Sequence, residues 1–197
     1  MNIAFFDFDG TITKKDTLID FIIFAVGIKT FVLKLILIVP YLILYKIKII
    51  SNSQAKEKVL EAFFKGWETK TFNEVAHCYS LQRVPHIIRS IAKNKIEEHQ
   101  QKGDIIVVVT ASCQNWVQPW CSFHGLDCIA TKLQEKDGKL TGKFNGNNCY
   151  GKEKVLRIKE KYDLKEFEKI FAYGDSKGDN EMLALAHEGY YKLKRVL

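Results

Sequence analysis

Short apolar runs and helix-like segments alternate along most of the chain. The apolar runs are rich in β-branched and aromatic residues and stop at glycine or polar residues, as buried strands do. They cover residues 2–8, 104–110, 126–131, 169–175 and 189–193. Apolar residues recur at helical spacing over residues 51–66, 85–102, 115–124, 151–163 and 179–187. This order predicts an α/β fold with a parallel sheet and helices on both of its faces.

A hairpin and a long insertion interrupt this alternation. Asp137-Gly138 lies between two alternating segments in TKLQEKDGKLTGKF, which predicts a β-hairpin. The first two core strands are separated by far more chain than one crossover needs. We therefore predict that residues 16–84 form an inserted α-helical cap and that residues 1–15 and 85–197 form the core.

The most apolar stretch of the chain is residues 18–50. It is interrupted by four lysines, Lys29, Lys34, Lys46 and Lys48. Its longest uncharged run, residues 35–45, contains Pro40 and is shorter than the about 20 apolar residues of a spanning helix. A spanning helix is therefore not predicted. Two interpretations stay open: helices buried against the rest of the protein, or an amphipathic patch on a membrane surface with its lysines toward lipid phosphates.

Composition narrows the class of partner. The 197 residues are 47% hydrophobic and 27% charged, which is typical of a folded globular chain. A net charge of +7 favours acidic partners such as phosphate esters or anionic lipids. No Arg/Lys block with interleaved aromatic residues is present, so nucleic acid is not expected. Five cysteines without a CxxC pair, and the lack of a signal peptide pattern, predict reduced thiols and a cytoplasmic location.

Polar residues follow three of the predicted strands at the edge where ligands bind in open parallel sheets. They are Asp7, Asp9, Thr110, Ser112, Asp175 and Asp179. Carboxylates held together raise each other's pKa unless a cation lies among them. Oxygen ligands with room for water suit Mg²⁺. The sequence therefore predicts a magnesium site built from Asp7, Asp9, Asp175 and Asp179.

The stretch FFDFDGTIT suggests a nucleophile with an acid/base partner. Asp7 is placed to attack phosphorus in line and form an aspartyl phosphate. Asp9 is then the group that protonates the leaving alcohol and later activates water. Gly10 allows a sharp turn, and Thr11 is predicted to tie down the loop beside the substrate.

Further residues are predicted to hold the phosphate. Thr110 offers a hydroxyl, with Ala111 and Ser112 beside it, and GKEKV supplies Lys152 and Lys154 at a helix start. These groups, with the backbone N–H groups of the Asp9-Gly10 turn, stabilise charge on the equatorial oxygens.

Four motifs in order resemble the haloacid dehalogenase (HAD) superfamily. They are DFDGT (7–11), VVVTAS (107–112), GKEK (151–154) and GDSKGD (174–179). The resemblance implies a Rossmann-like core, with Mg²⁺ held by the Asp7 side chain, the Asp9 carbonyl and Asp175, and with Asp179 supporting from behind. Phosphoserine phosphatases of the superfamily favour Lys152 as the phosphate-binding lysine, and some lipid-phosphate relatives favour Lys154. Both lysines stay candidates.

The helical insertion and the hairpin are similar to those of the phosphoserine phosphatase subgroup. Asp16 stands where those enzymes place a carboxylate for the substrate amine, although Asp16 is equally suited to cap a helix. Their cap arginine has no well-placed counterpart, because the only arginines between the first two motifs, Arg83 and Arg89, are close to the core. The apolar segment 18–50 resembles phosphatidylglycerophosphate phosphatases of the same subgroup, which act at a membrane surface.

The sequence thus predicts a Mg²⁺-dependent phosphatase for a small soluble ester or a lipid phosphate. Two alternatives use the same residues differently. A phosphomutase or phosphotransferase would pass the phosphoryl group from the aspartate to another acceptor. A membrane-surface binding protein with weak activity would use residues 18–50 as its anchor.

Overall fold

The computed structural model describes residues 1–197 and contains a six-stranded sheet and a separate hairpin. The strands are β1 (Ile3–Phe6), β2 (Ile105–Cys113), β3 (Asp127–Thr131), β4 (Leu133–Lys136), β5 (Lys139–Phe144), β6 (Ile170–Gly174), β7 (Glu188–Tyr191) and β8 (Lys194–Arg195). The sheet has the order β3-β2-β1-β6-β7-β8, and β4 pairs with β5. All neighbours in the sheet are parallel except β7 and β8. The predicted parallel sheet and hairpin are confirmed.

Seven α-helices accompany the strands. They are α1 (Thr17–Lys46), α2 (Asn52–Phe64), α3 (Thr69–Cys78), α4 (Ser90–Gln101), α5 (Gln114–Phe123), α6 (Lys152–Lys161) and α7 (Asn180–Leu183). Alternate residues of β1 enter two apolar cores: Phe6 packs with residues of α1, α2 and α5, and Phe5 packs with residues of α6 and α7. The sheet therefore carries helices on both faces, as its apolar strand pattern requires.

Three local signals fix the helical insertion. The Asp16 side chain accepts the backbone N–H groups of Leu18 and Ile19 and so caps α1. Ser51 and Gln54 form a capping box at the start of α2. The hairpin then packs on α2, where Gly142, at φ +81°, leaves room for the backbone of Glu61.

Helix α1 changes direction at Gly27, whose φ of 78° and ψ of 156° are not helical. Before this point Phe21 and Ile22 are fully buried, whereas most side chains of residues 28–46 are exposed. The interpretation of 18–50 as helices buried against the protein is therefore wrong for its second half. By length and composition alone, the helix Thr17–Lys46 is long enough and apolar enough to cross a membrane. The lysines and the proline therefore interrupt the apolar stretch 18–50 less than the sequence suggested.

Several element boundaries differ from the sequence-based prediction. The first strand ends at Phe6, so Asp7 begins the turn. The helix predicted over 85–102 begins at Ser90, because Pro85 lies in a short turn, Val84–Ile87. The helix predicted over 179–187 ends at Leu183, and residues 184–187 form a turn that leads into β7. The division into a core and a cap at residues 16–84 stays a prediction.

Candidate active site

The carboxyl ends of β1, β2 and β6 meet at a cavity of about 410 Å³. The predicted residues that line it are Asp7, Asp9, Gly10, Asp16, Thr110, Ala111, Lys154, Asp175 and Asp179. They come together because β1 lies between β2 and β6 in parallel register, so three strand ends reach the same edge.

Lys154 is the buried cation at the centre of this edge. Its Nζ donates to Asp7 Oδ1 at 2.6 Å, to Asp179 Oδ1 at 2.6 Å and to the carbonyl oxygen of Val109 at 2.7 Å. Only 1% of its side chain is exposed. All three ammonium hydrogens are thus used, and Oδ2 of Asp7 has no protein partner. Lys152, by contrast, is exposed and outside the cavity, so of the two candidate lysines only Lys154 reaches the site.

Asp179 is held from two sides. Its Oδ1 accepts from Lys154, and its Oδ2 accepts from the Ser176 hydroxyl and from the N–H groups of Asp175 and Ser176. Both oxygens are therefore occupied by the protein. Asp179 is placed to orient its neighbours rather than to offer a free oxygen to a ligand.

Asp7, Asp175 and Asp179 each have a carboxylate oxygen within 4.8 Å of such an oxygen on the other two. The Asp175 carboxylate accepts no hydrogen bond from the protein, and it lies against Gly10. A Cβ on Gly10, whose φ is +78°, would collide with that carboxylate. With Asp9, four carboxylates meet at an edge that holds one buried ammonium, so that ammonium compensates their negative charge only in part. This donor set and its charge fit a hard divalent cation such as Mg²⁺.

The pKa shifts at this edge reflect the same imbalance. Burial, with the nearby charges of Asp179 and Asp9, raises the pKa of Asp7 to about 7 despite Lys154. Burial and Asp179 raise the pKa of Asp175. Burial also acts to raise the pKa of Asp179, but the charge and hydrogen bond of Lys154 outweigh it, so that pKa lies below its usual value. Asp179 has the lower pKa of the two partners of Lys154 because it also accepts hydrogen bonds from Ser176.

Asp9 is held by a chain of hydrogen bonds that reaches the helical insertion. Its Oδ1 accepts the backbone N–H of Thr17 at 2.9 Å, and its Oδ2 accepts the Ser112 hydroxyl. Thr17 Oγ1 lies 3.0 Å from Ser112 Oγ and accepts Trp116 Nε1–H at 3.1 Å. Because the ionised Asp9 carboxylate can only accept, Ser112 donates to it, and Thr17 in turn donates to Ser112. Burial, and then the charge of Asp16, raises the pKa of Asp9.

The remaining predicted residues divide into two groups. Thr110 is buried and lines the cavity, and its hydroxyl oxygen accepts the Ser112 N–H, which leaves the hydroxyl hydrogen for a ligand. Asp16 both caps α1 and lines the cavity, so its two interpretations are compatible. Thr11 is buried outside the cavity and its hydroxyl has no partner. The prediction that Thr11 ties the loop is wrong, since Thr13 does so by donating to the Phe8 and Lys15 carbonyls.

Sequence reasoning missed several residues around the mouth of the cavity. They are Lys14, Lys15, Tyr45, Asn52, Lys56, Tyr150 and Ser176. Lys56 Nζ lies 3.4 Å from the Ala111 carbonyl and brings a cation of α2 over the site. Helical periodicity assigned residue 56 to a helix, but no local pattern shows which face of that helix turns toward the sheet.

Comparison with known proteins places the chain in a family. The sequence model of the haloacid dehalogenase-like hydrolase family matches residues 4–184. Protein CicA of Caulobacter vibrioides is 33% identical over 192 residues, which cover 96% of this chain and 85% of that protein. The chain therefore belongs to the haloacid dehalogenase-like hydrolases, and the prediction of a hydrolase of this superfamily is confirmed.

Solved structures agree on the fold. A Bordetella pertussis protein of unknown function has a TM-score of 0.80 at 20% identity and covers 96% of this chain and 89% of its own. A phosphoserine phosphatase with an analogue of its phospho-aspartyl intermediate has a TM-score of 0.66 at 22% identity, covering 96% of this chain and 85% of its own. At these identities the similarity establishes the fold alone.

Proposed function

We propose that this protein is a Mg²⁺-dependent phosphomonoesterase that works through an aspartyl phosphate on Asp7. The observation that carries the proposal is the clamp of Lys154 on Asp7 and Asp179 beside the unpartnered carboxylate of Asp175. An acidic edge with a single buried cation suits a phosphoryl group only when a divalent cation is added. The phosphoserine phosphatase fold and its aspartyl intermediate support this assignment by analogy.

Asp7 and Asp175 would hold the cation, with Asp179 fixing both through Lys154 and the Asp175 N–H. A bound Mg²⁺ would supply positive charge that stabilises the phosphoryl oxygens. Lys154 keeps Asp7 oriented by one oxygen and leaves the other free. The Thr110 hydroxyl donates to a phosphoryl oxygen. Burial of these groups keeps bulk water away and strengthens each of these interactions.

Two displacements follow from these positions. In the first, an oxygen of Asp7 attacks phosphorus, the bond from phosphorus to the alcohol oxygen breaks, and protonated Asp9 gives its proton to that oxygen. In the second, Asp9 takes a proton from water, the water oxygen attacks phosphorus, and the bond to Asp7 breaks. Inorganic phosphate leaves, with Asp7 free and Asp9 protonated again.

The proposal covers both classes of substrate that the sequence suggests. A small soluble ester would contact Asp16 and Lys56 at the mouth of the cavity. A lipid phosphate would place its head group at the same mouth while residues 18–50 contact a membrane. The second class would place the protein at the cytoplasmic face of a membrane. A phosphomutase would need the same aspartyl phosphate and a second acceptor in place of water.

The first test is release of inorganic phosphate from p-nitrophenyl phosphate and glycerol phosphate, with Mg²⁺ or with EDTA. We expect metal-dependent release and a loss of at least about a thousandfold in Asp7→Asn. The matched control is Glu160→Gln, which makes the same carboxylate-to-amide change at an exposed residue. Substantial turnover by Asp7→Asn would refute the covalent mechanism, and isomerised ester without free phosphate would identify a mutase.

Metal binding is tested separately by titrating Mg²⁺ into the full-length protein in a calorimeter. We expect binding by the wild type and by Glu160→Gln, and weakened binding by Asp175→Asn, because Asp175 offers the freest oxygens of the cluster. Equal affinity in all three proteins would contradict the assigned site.

A further inference from the structure

Residues 28–46 form an apolar surface on the outside of the protein, named here the outer helix. Its exposed side chains include Val32, Leu33, Ile36, Leu37, Leu42 and Ile43. Ile36 is 75% exposed and Leu33 is 72% exposed. A contiguous apolar surface of this kind marks an interaction site on a folded protein.

The outer helix is firmly attached on its other side. Phe31 stacks on Phe63 of α2 with ring centroids 5.7 Å apart, and Lys34 Nζ donates to the Ala62 carbonyl at 2.8 Å. Ile38 is 2% exposed. The helix is therefore a fixed part of the fold, and its bare side is presented in one orientation.

The charges around the outer helix indicate the chemistry of its partner. No acidic residue occurs between Asp20 and Glu57. Lys29 lies at one end, and Lys46 and Lys48 lie at the other, all exposed. Lysines that flank an apolar helix reach anionic lipid phosphates while the apolar side chains enter the acyl boundary. A second copy of the chain on this surface would instead bring lysine against lysine.

The connections of the outer helix favour lying on a bilayer over crossing it. The part of α1 before Gly27 is packed in the core, and α2 begins at Asn52 and runs back along α1. Both ends of the outer helix therefore belong to the same folded body. A crossing helix would draw its packing partner α2, with the ion pair between Lys58 and Glu61, into the hydrocarbon core, where charged side chains are costly.

The outer helix ends at the active-site cavity. Tyr45, on its last turn, and Lys56, on α2, both line the mouth. The apolar surface of the outer helix and its position beside the cavity together indicate a class of substrate. We propose that the outer helix docks on an anionic lipid bilayer and that the ester hydrolysed at Asp7 is the phosphomonoester head group of a lipid in that bilayer. The substrate half of this inference rests on the proposed phosphatase function.

Docking is tested by sedimenting the full-length protein with vesicles of phosphatidylcholine, with or without phosphatidylglycerol. We expect binding to the anionic vesicles that weakens at high salt. Ile36→Glu should lower binding by about tenfold or more, because it places a charge where an apolar side chain is buried in lipid. Phe123→Glu is the matched control, since Phe123 is 74% exposed and lies on α5, outside the outer helix. Equal binding by both variants, no binding by the wild type at low salt, or a stable dimer that Ile36→Glu dissolves would overturn the docking surface.

The substrate class is tested by phosphate release from phosphatidic acid and phosphatidylglycerophosphate in vesicles and from glycerol phosphate in solution. We expect Ile36→Glu to lose about tenfold on the vesicle lipids, with turnover of glycerol phosphate unchanged. Turnover of glycerol phosphate alone by the wild type would overturn the inference and leave the phosphatase function intact. No Asp7-dependent release from any of the three esters would overturn the proposed function itself.

Discussion

The edge of the sheet buries charged side chains and the outer helix exposes apolar ones, and each arrangement is the reverse of what is usual in a folded protein. At the edge, Asp7, Lys154 and Asp179 are charged groups buried in the protein, with direct ion pairs between them. On the outer helix, residues such as Ile36 are apolar groups exposed to solvent without a partner. Folding alone favours neither arrangement, because buried charges must be desolvated and exposed apolar side chains contribute no burial.

The difference shows what each region requires. The buried charges compensate one another only in part. The remaining negative charge of the carboxylates fits a cation, and that cation could in turn bind a phosphoryl group. The exposed apolar side chains are not covered by any other part of the chain, and they fit the apolar boundary of a lipid bilayer. The two regions meet where Tyr45 and Lys56 line the cavity, so one ligand can use both.

The largest effect is expected from Lys154→Met. This change leaves Asp7 and Asp179 buried without their cation, which costs about 3–5 kcal/mol of unfolding free energy. Lys152→Met, two residues earlier on the exposed side of α6, should stay within about 0.5 kcal/mol. Urea denaturation of both variants in EDTA measures the difference. Equal losses would contradict the central place of Lys154 at the sheet edge.

A second prediction separates the two sides of the outer helix. Ile38→Ala should lower the unfolding free energy by about 2–5 kcal/mol, because Ile38 is 2% exposed. Ile36→Ala, with 75% of the side chain exposed, should change it by less than about 0.5 kcal/mol. Thermal and urea unfolding without lipid provide the measurement. A large loss in Ile36→Ala would mean that this surface is covered within the protein.

A third prediction concerns a buried charge outside the site. Both oxygens of Asp20 accept from Arg83 at 3.0 Å. Burial acts to raise the pKa of Asp20, but the hydrogen bonds and charge of Arg83 outweigh it and the pKa is lowered. A carboxyl with a lowered folded pKa stabilises the fold above its unfolded pKa of about 3.9, and this contribution is lost as the pH falls through the folded value.

Asp20→Asn should therefore cost about 1–3 kcal/mol near neutral pH, and the difference from wild type should shrink below about pH 4. Urea denaturation across this range tests it, with Glu160→Gln as the exposed control. A difference that grows on acidification would have the wrong sign for this pair.

The smallest effect is expected from Ser112→Ala, which removes the hydroxyl that donates to Asp9. Misplacing the proton donor should slow hydrolysis of glycerol phosphate by about tenfold, as loss of one hydrogen bond to a charged group does. The loss on p-nitrophenyl phosphate should be smaller, because nitrophenolate leaves without a proton. Ser122→Ala, at an exposed position of α5, is the control. Equal losses on both esters would assign Ser112 a structural role.

The sequence was sufficient for the sheet edge because the relevant signals are local. Apolar runs located the strands, and parallel order carried Asp7, Thr110 and Asp175 to one edge. The choice between Lys152 and Lys154 depends on the phase of α6. Residues two apart point to opposite sides of a helix, and that phase is fixed by the turn at Gly151, which pattern reading does not resolve.

The sequence left two interpretations of the outer helix open for a different reason. Apolar residues predict burial, and burial is correct for Phe21 and Ile22 in the same helix. The break at Gly27 redirects the chain, so that an equally apolar continuation lies outside. Lys56 was missed because contacts between the helical insertion and the core are long-range. Helix periodicity defines a face but not the element that the face meets.

The most direct measurement of the central claim is to trap the phosphoryl group on Asp7. The full-length protein is mixed with substrate and Mg²⁺, quenched in acid during turnover and digested for mass spectrometry. We expect one added phosphoryl group on the peptide that contains Asp7, and none in Asp7→Asn. Turnover with no phosphoryl group on that peptide, or with the group on another residue, would contradict the claim.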